Sequence, residues 1–174
     1  MKPTPRMPLS NASTKTRGSA QKRADAVAKT LLAILPRIDE YCESIKKVNL
    51  ARAIGSRHSE DNTLALMERI IDSTFQADRM RNLKIKIMRQ LDAMPKRQGN
   101  AVKLYYLKGK EIPQIAAEFG VTERSAWRHV GDGVGRLTKS LDSMNVDSST
   151  FTQLISQHKW IRMEFDRQIS AVNE

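Results

Sequence analysis

The chain is short of aromatic residues, cysteine, acidic charge and long apolar runs, and each shortage removes a class of protein. Phe, Trp and Tyr make up 5% of the 174 residues, so any core is built from Leu, Ile, Val, Met and Ala, the usual stock of helix packing. Cys42 stands alone, which excludes an intramolecular disulfide framework and a cysteine-based zinc cluster. His58, His129 and His158 are too scattered to suggest a metal site, and no cofactor is expected. No run approaches the ~18 apolar residues of a membrane span. The N-terminus also lacks the apolar stretch of a secretory signal, so a soluble protein of a bacterial cytoplasm is expected. Paired carboxylates, a nucleophile beside a base and a phosphate-cradling loop are missing too. Gly131, Gly133 and Gly135 follow a helical pattern rather than a strand and fail the dinucleotide fingerprint, so an enzyme is not expected. Acidic residues number 19 against 30 Lys and Arg, a formal charge of +11. That balance favours polyanionic partners, either nucleic acid or an anionic membrane surface.

What is present is helical patterning, and the expected fold class is all-α. Residues 1–23 hold six basic residues, three prolines and no acid, a composition that predicts a disordered tail, either solubilising or touching DNA phosphates. Residues 24–90 read as a helical packing or dimerisation region. Val27, Leu31, Ile34, Ile38, Tyr41, Ile45 and Val48 recur at spacings of four and three, a heptad seam widened by Leu35 and Cys42. The seam fits a core helix or a dimerising coiled coil, and Pro36 predicts a kink or a division within it. Gly55 to Asn62 reads as a loop. A second helix follows on Leu64, Met67, Ile70, Ile71, Thr74, Phe75, Met80, Leu83, Ile87, Leu91 and Met94, with a polar interval at Gln76 to Arg79 that predicts a bend or an interruption. Arg79, Arg81, Lys84, Lys86 and Arg89 crowd its last third, as a solvated face or a flank for DNA.

Residues 91–141 carry the clearest pattern, a helix-turn-helix. Pro95 separates this unit from the helix before it. Ala101, Val102, Leu104, Tyr105 and Tyr106 predict a short helix stopped near Gly109. Glu111 and Pro113 suit a first turn, and Ile112, Ile115, Ala116 and Phe119 form an inner face. Gly120 supplies the turn, and Thr122 is a good N-cap for a recognition helix that turns Ala126 and Val130 inward and Glu123, Arg124, Trp127 and Arg128 outward. In residues 142–174, a loop over Asp142 to Ser149 leads to a capping-box pair, Thr150 and Gln153, that predicts one last helix. Phe151, Leu154, Ile155, His158, Ile161, Phe165, Ile169 and Val172 mark its apolar face, with His158 as a packed core residue.

The run Leu91, Pro95, Arg97-Gln98, Leu104, Tyr106, Gly109, Ile115-Ala116, Gly120-Val121-Thr122 and Arg128 resembles region 4 of bacterial sigma factors, the domain that reads the promoter -35 element. Within that group, TERSAWRHV after YYLKGKEIPQIAAEFG, preceded by the long helix MERIIDSTFQADRMRNLKIKIMRQL, resembles the RinA and ArpU type of phage and prophage transcription regulators. In those, a helical N-terminal region precedes the sigma-region-4-like domain, and they activate phage late genes. Gly99 and Tyr105 stand where sigma factors commonly have arginines, so contacts made there do not transfer. Gly131, Gly133 and Gly135 each cost a helix about 1 kcal/mol relative to Ala, which predicts that the recognition helix frays or ends early. Residues 24–90 lack the aromatic-rich, promoter-melting segment of a complete sigma factor.

The expectation is therefore a helical N-terminal region, a sigma-region-4-like helix-turn-helix domain and a C-terminal amphipathic helix. Together they make a sequence-specific regulator of phage or prophage origin that activates late genes near a promoter. Its partners are double-stranded DNA, RNA polymerase and further copies of itself, as a homodimer or higher oligomer, with no membrane. Thr122, Glu123, Arg124, Ser125, Trp127 and Arg128 form the expected reading surface. Lys96, Arg97, Lys103, Lys108 and Lys110 are the candidates for phosphate contacts. Two rival readings share the motif: a small terminase subunit binding packaging sites, and a polymerase-associated antiterminator.

Overall fold

The computed structural model describes residues 12–55 and 63–173, and among these the regular structure is helical throughout, with no strand. The first eleven residues of the basic tail, and residues 56–62 of the expected loop with His58, lie outside the described residues. Helices α1 (Ala12–Gly55) and α2 (Thr63–Ala93) pair as an antiparallel hairpin. Its cross-links run in opposite directions along the two helices. Lys84 reaches Asp39 at 2.5 Å, the Cys42 thiol donates to the Ala77 carbonyl at 3.4 Å, and Ser73 donates to Asn49 Oδ1 at 2.9 Å. Burial pushes the Cys42 thiol pKa up, so it sits in the hairpin as a protonated packing group.

Three expectations about these helices need correction. Composition predicts disorder through residue 23, yet α1 starts at Ala12. Ala20, Gln21, Lys22 and Arg23 are good helix formers, and a helix already nucleated by its buried centre extends through them cheaply. Pro36 does not divide α1, because its ring stands exposed while Leu32, Leu35 and Ile38 around it are buried. The polar interval in α2 does not interrupt it either, since Ala77 in its middle packs inward against α1. Between Ala26 and Ile38, α1 is buried on nearly every side, and α2, α5 and α7 all pack against it. A helix buried all round is the centre of a bundle, not the seam of an isolated coiled coil.

After α2 come α3 (Lys96–Val102), a π-helical turn (Lys103–Leu107), α4 (Ile112–Phe119), α5 (Glu123–Ser140), a 3-10 turn (Asp142–Met144), α6 (Ser148–Gln157) and α7 (Lys159–Asn173). The expected early end of α5 is also overturned. The helix runs on to Ser140 because Val134, Leu137 and Thr138 continue its buried face, and the Thr138 hydroxyl donates to Asp25 of α1 at 2.9 Å. Its glycines differ in kind. A Cβ on Gly133 would stand 2.5 Å from Val102 Cγ2, so α3 and α5 cross where only glycine fits, whereas Gly131 and Gly135 meet nothing within 4 Å. Gly99 has a similar reason, since its Cβ would fall 2.3 Å from the Leu91 carbonyl oxygen. The position where sigma factors commonly have arginine is here a close approach of α3 to α2.

The single C-terminal helix expected from the pattern is two. Asp147, not Thr150, caps the first of them, accepting from the Thr150 amide at 2.7 Å, and the chain breaks at His158, whose backbone is extended. The pattern is continuous across the break because His158 is itself buried, edge-on to Tyr41 with ring centroids 5.3 Å apart and near Trp160. Trp160 in turn lies under the Arg37 guanidinium at 4.9 Å. Among the described residues no group of His, Cys, Asp and Glu gathers that could hold a metal ion, and no helix is long and apolar enough to cross a membrane.

Two stability measurements follow. Gly131→Ala and Gly135→Ala should each stabilise the fold by up to about 1 kcal/mol through helix propensity. Gly133→Ala should destabilise it by about 1–3 kcal/mol through overpacking. Denaturant midpoints check the ordering, and equal effects at all three positions would contradict the packing account. Burial, and after it the Arg79 charge, hold the His158 imidazole pKa below its ordinary 6.5. The unfolded chain therefore takes up a proton as pH drops through that ordinary value, while the folded chain does not. Stability is full above it and declines as pH falls from there toward the depressed folded pKa. Thermal midpoints between about pH 7.5 and about pH 5 should fall in the wild type and fall less in His158→Gln; equal slopes would remove His158 from the account.

Candidate nucleic-acid interface

The geometry of the helix-turn-helix is set by local sequence chemistry. Glu111 N-caps α4 in a capping box with Gln114, whose side chain accepts from the Glu111 amide at 3.2 Å, and Pro113 occupies the first turn. Ile112, Ile115 and Ala116 face inward. Gly120 ends the helix at φ 62, ψ 39, a left-handed conformation that glycine adopts without the Cβ penalty. The Val121 amide then bonds back to the Ala116 carbonyl at 3.0 Å. Two residues on, Thr122 is extended at φ -71, ψ 154, and its hydroxyl accepts from the Ser125 amide at 3.3 Å to cap α5. Loss of such a cap costs about 0.5–2 kcal/mol.

The capped end of α5 presents the expected side chains. Ala126 and Val130 are buried, Glu123, Arg124 and Arg128 are exposed, and Ser125 is half-buried with its hydroxyl 3.0 Å from that of Thr122. Arg128 has its side chain 82% exposed, and its ion pair among the described residues is a loose one to Asp132 at 3.9 Å. Contacts of that kind are worth about 0–1 kcal/mol, so the guanidinium is available to a stronger acceptor. Trp127 is 54% exposed. It stands on the flank of this face rather than at its centre, with its ring 5.8 Å from that of Tyr105.

Tyr105 reaches Trp127 from the π turn, a feature the hydrophobic pattern does not reveal. The Lys108 amide bonds to the Lys103 carbonyl at 3.1 Å, one residue further back than in an α-helix. The neighbouring tyrosines on this turn meet edge to face, ring centroids 4.9 Å apart. Tyr106 is packed inward, and burial, helped by Tyr105 and Glu164, pushes its hydroxyl pKa up to about 12. Isolated π turns are rare and often accompany functional sites.

The five phosphate candidates fall into two groups. Lys96 and Arg97 are exposed in the first turn of α3, and Lys108 is exposed after the π turn. Lys103 is instead paired with Asp92, and Lys110 with Glu118 at 2.5 Å. Phosphate would have to displace a carboxylate at those two positions. Sequence reasoning missed Arg136 and Lys139, exposed on the later turns of α5. Their signal was the helical period beyond Val130, hidden by the expectation that the glycines ended the helix. Between the reading end and these residues, Gly131 and Gly135 leave the helix backbone bare.

No curated protein and no solved structure matches the chain. Residues 84–137 match the family model described as Sigma-70, region 4, a span that opens in the last turns of α2 and closes at Leu137 on the buried side of α5. The chain thus carries a sigma-region-4-like helix-turn-helix domain, a DNA-binding and transcription-related unit, set in an all-helical bundle.

Proposed function

We propose that this protein is a sequence-specific DNA-binding regulator of transcription, of phage or prophage origin, that activates late genes from a site close to a promoter. In this reading it works in the bacterial cytoplasm as a homodimer or higher oligomer, contacts RNA polymerase, and performs no catalysis. The observation that carries the DNA-binding role is the Thr122-capped end of α5. Arg124 and Arg128 stand exposed there on a segment that matches Sigma-70, region 4. The phage origin and the activating role rest on the resemblance of TERSAWRHV and its preceding helices to the RinA and ArpU type of regulator.

The mechanism is positional. The N-terminal end of a recognition helix enters the major groove, where an arginine can grip the O6 and N7 of guanine together. The Trp127 edge, steadied by Tyr105 behind it, suits contact with a thymine methyl or a sugar. Lys96, Arg97 and Lys108 supply phosphate contacts that set affinity and register rather than sequence preference. Asp132 tempers this surface, because its carboxylate lies one turn beyond Arg128 and would repel a backbone phosphate.

Arginine and lysine substitutions should separate the two roles. Arg128→Ala should cost about 1–3 kcal/mol on the preferred site and relax the preference at one base position. Lys96→Ala should weaken binding evenly on all sequences and lower the salt slope by about one. Selection of bound DNA from a random pool, followed by titrations at several salt concentrations, checks both. A pool that yields no enriched motif, or an Arg128→Ala loss spread evenly over all sequences, would sink the base-reading role.

A further inference from the structure

The far end of the α1–α2 hairpin carries large apolar side chains on its outer side as well as between its helices. Where the two helices face each other, half-buried Leu66 and Ile70 lie beside polar contacts. Ser73 donates to Asn49, and the Asn49 amide donates to the Thr74 hydroxyl at 3.2 Å. On the opposite side of α2, Met67, Ile71 and Phe75 recur every four residues and are 54%, 48% and 65% exposed. Leu64 extends the row toward the tip and is exposed as well. Beyond Phe75 the same face of α2 is mostly polar, with Asp78, Asn82, Lys86 and Arg89 around the exposed Ile85, so the apolar row is densest in the first half of the helix. A hairpin that served only its own monomer would have no use for a second apolar face turned to water. A contiguous apolar patch of this kind marks an interaction surface.

We infer that this row pairs with the same row of a second copy, antiparallel, about a two-fold axis between Ile71 and Phe75. Such an axis sets Ile71 of one copy against Phe75 of the other, twice, and lays Met67 of each against the aliphatic stem of Arg79 of the other. The charges agree with that register. Glu68 and Arg79 are eleven residues apart, three helical turns, and so lie on the same flank of the row. Antiparallel pairing brings Glu68 of each copy opposite Arg79 of the other. Arg79 is anchored on that flank by a hydrogen bond to Gln153 of α6 at 3.2 Å. The area is also adequate: at roughly 200 Å² per large side chain, the exposed parts of the row come to on the order of 450 Å² per copy. The stems of Glu68, Asp72 and Arg79 raise the pair to the ~1,200 Å² at which specific interfaces begin.

Sedimentation equilibrium of the full chain, without DNA, tests this separately from the DNA-binding role. The wild type should approach twice the mass of the chain at concentrations up to about 100 μM, as a micromolar association requires. Ile71→Glu and Phe75→Glu should each weaken association at least tenfold while the helical circular dichroism is kept, since both positions are exposed. Glu68→Arg and Arg79→Glu should each weaken it, and the double reversal should restore it to near the wild-type constant. A monomeric wild type, a dimer indifferent to Ile71→Glu and Phe75→Glu, or a double reversal as weak as its parents would overturn the proposal. So would a chain that stays monomeric and uses this row to bind core RNA polymerase.

Discussion

Everything in this molecule leans on the middle of one helix. From Ala26 to Ile38, α1 offers apolar side chains in nearly every direction, and such a helix is stable in water only when neighbours surround it. Helices α2, α5 and α7 do so, and the π turn closes the remaining side. The recognition helix is therefore not a free-standing unit. Its second half is held by Val134, Leu137 and Thr138 against α1, with the Thr138–Asp25 hydrogen bond fixing its end. A side chain such as Leu31 contributes about 1.5–3 kcal/mol on burial, so the exposed arginines of α5 are positioned by residues more than ninety places away in sequence.

This dependence explains what could and could not be read from the sequence. The turn between α4 and α5 was legible because its chemistry is local: a left-handed glycine, a threonine cap three residues before its partner amide, and two small or branched residues one turn apart. The exposure of Trp127 was legible for the same reason, from its position relative to Ala126. Features decided by distant contacts were hidden. Gly133 looks like a helix breaker until Val102 is seen beside it, Pro36 looks like a break until its ring is seen to face outward, and His158 continues an apolar stripe straight across a change of chain direction. The π turn leaves no periodic trace, because one extra residue in one turn is within the noise of any short pattern.

The candidate interface was only half visible. Residues Thr122 to Arg128 lie together at one helix end, as the motif implied, and the matched span of residues 84–137 encloses them. Net charge could not say which lysines are open. Lys103 and Lys110 lie in the same stretch as Lys108, yet each is engaged by a carboxylate from another helix, Asp92 and Glu118. Charge counted along a chain overstates the charge presented to a ligand wherever acids come back into contact through the fold.

The hairpin tip has a consequence of another kind. Ala77, the first buried residue of α2, comes about 14 residues after its start, so the helix extends roughly 20 Å beyond the packed body. The apolar row lies on that extension, well away from the recognition helix. In the pairing inferred above, the hairpin acts as a length standard. With copies joined at their tips, the gap between two reading heads is a property of helix length, and each added turn would widen it in steps of about 5.4 Å per copy. The choice of base sequence and the choice of spacing between sites would then reside in different parts of the chain, each able to change without disturbing the other.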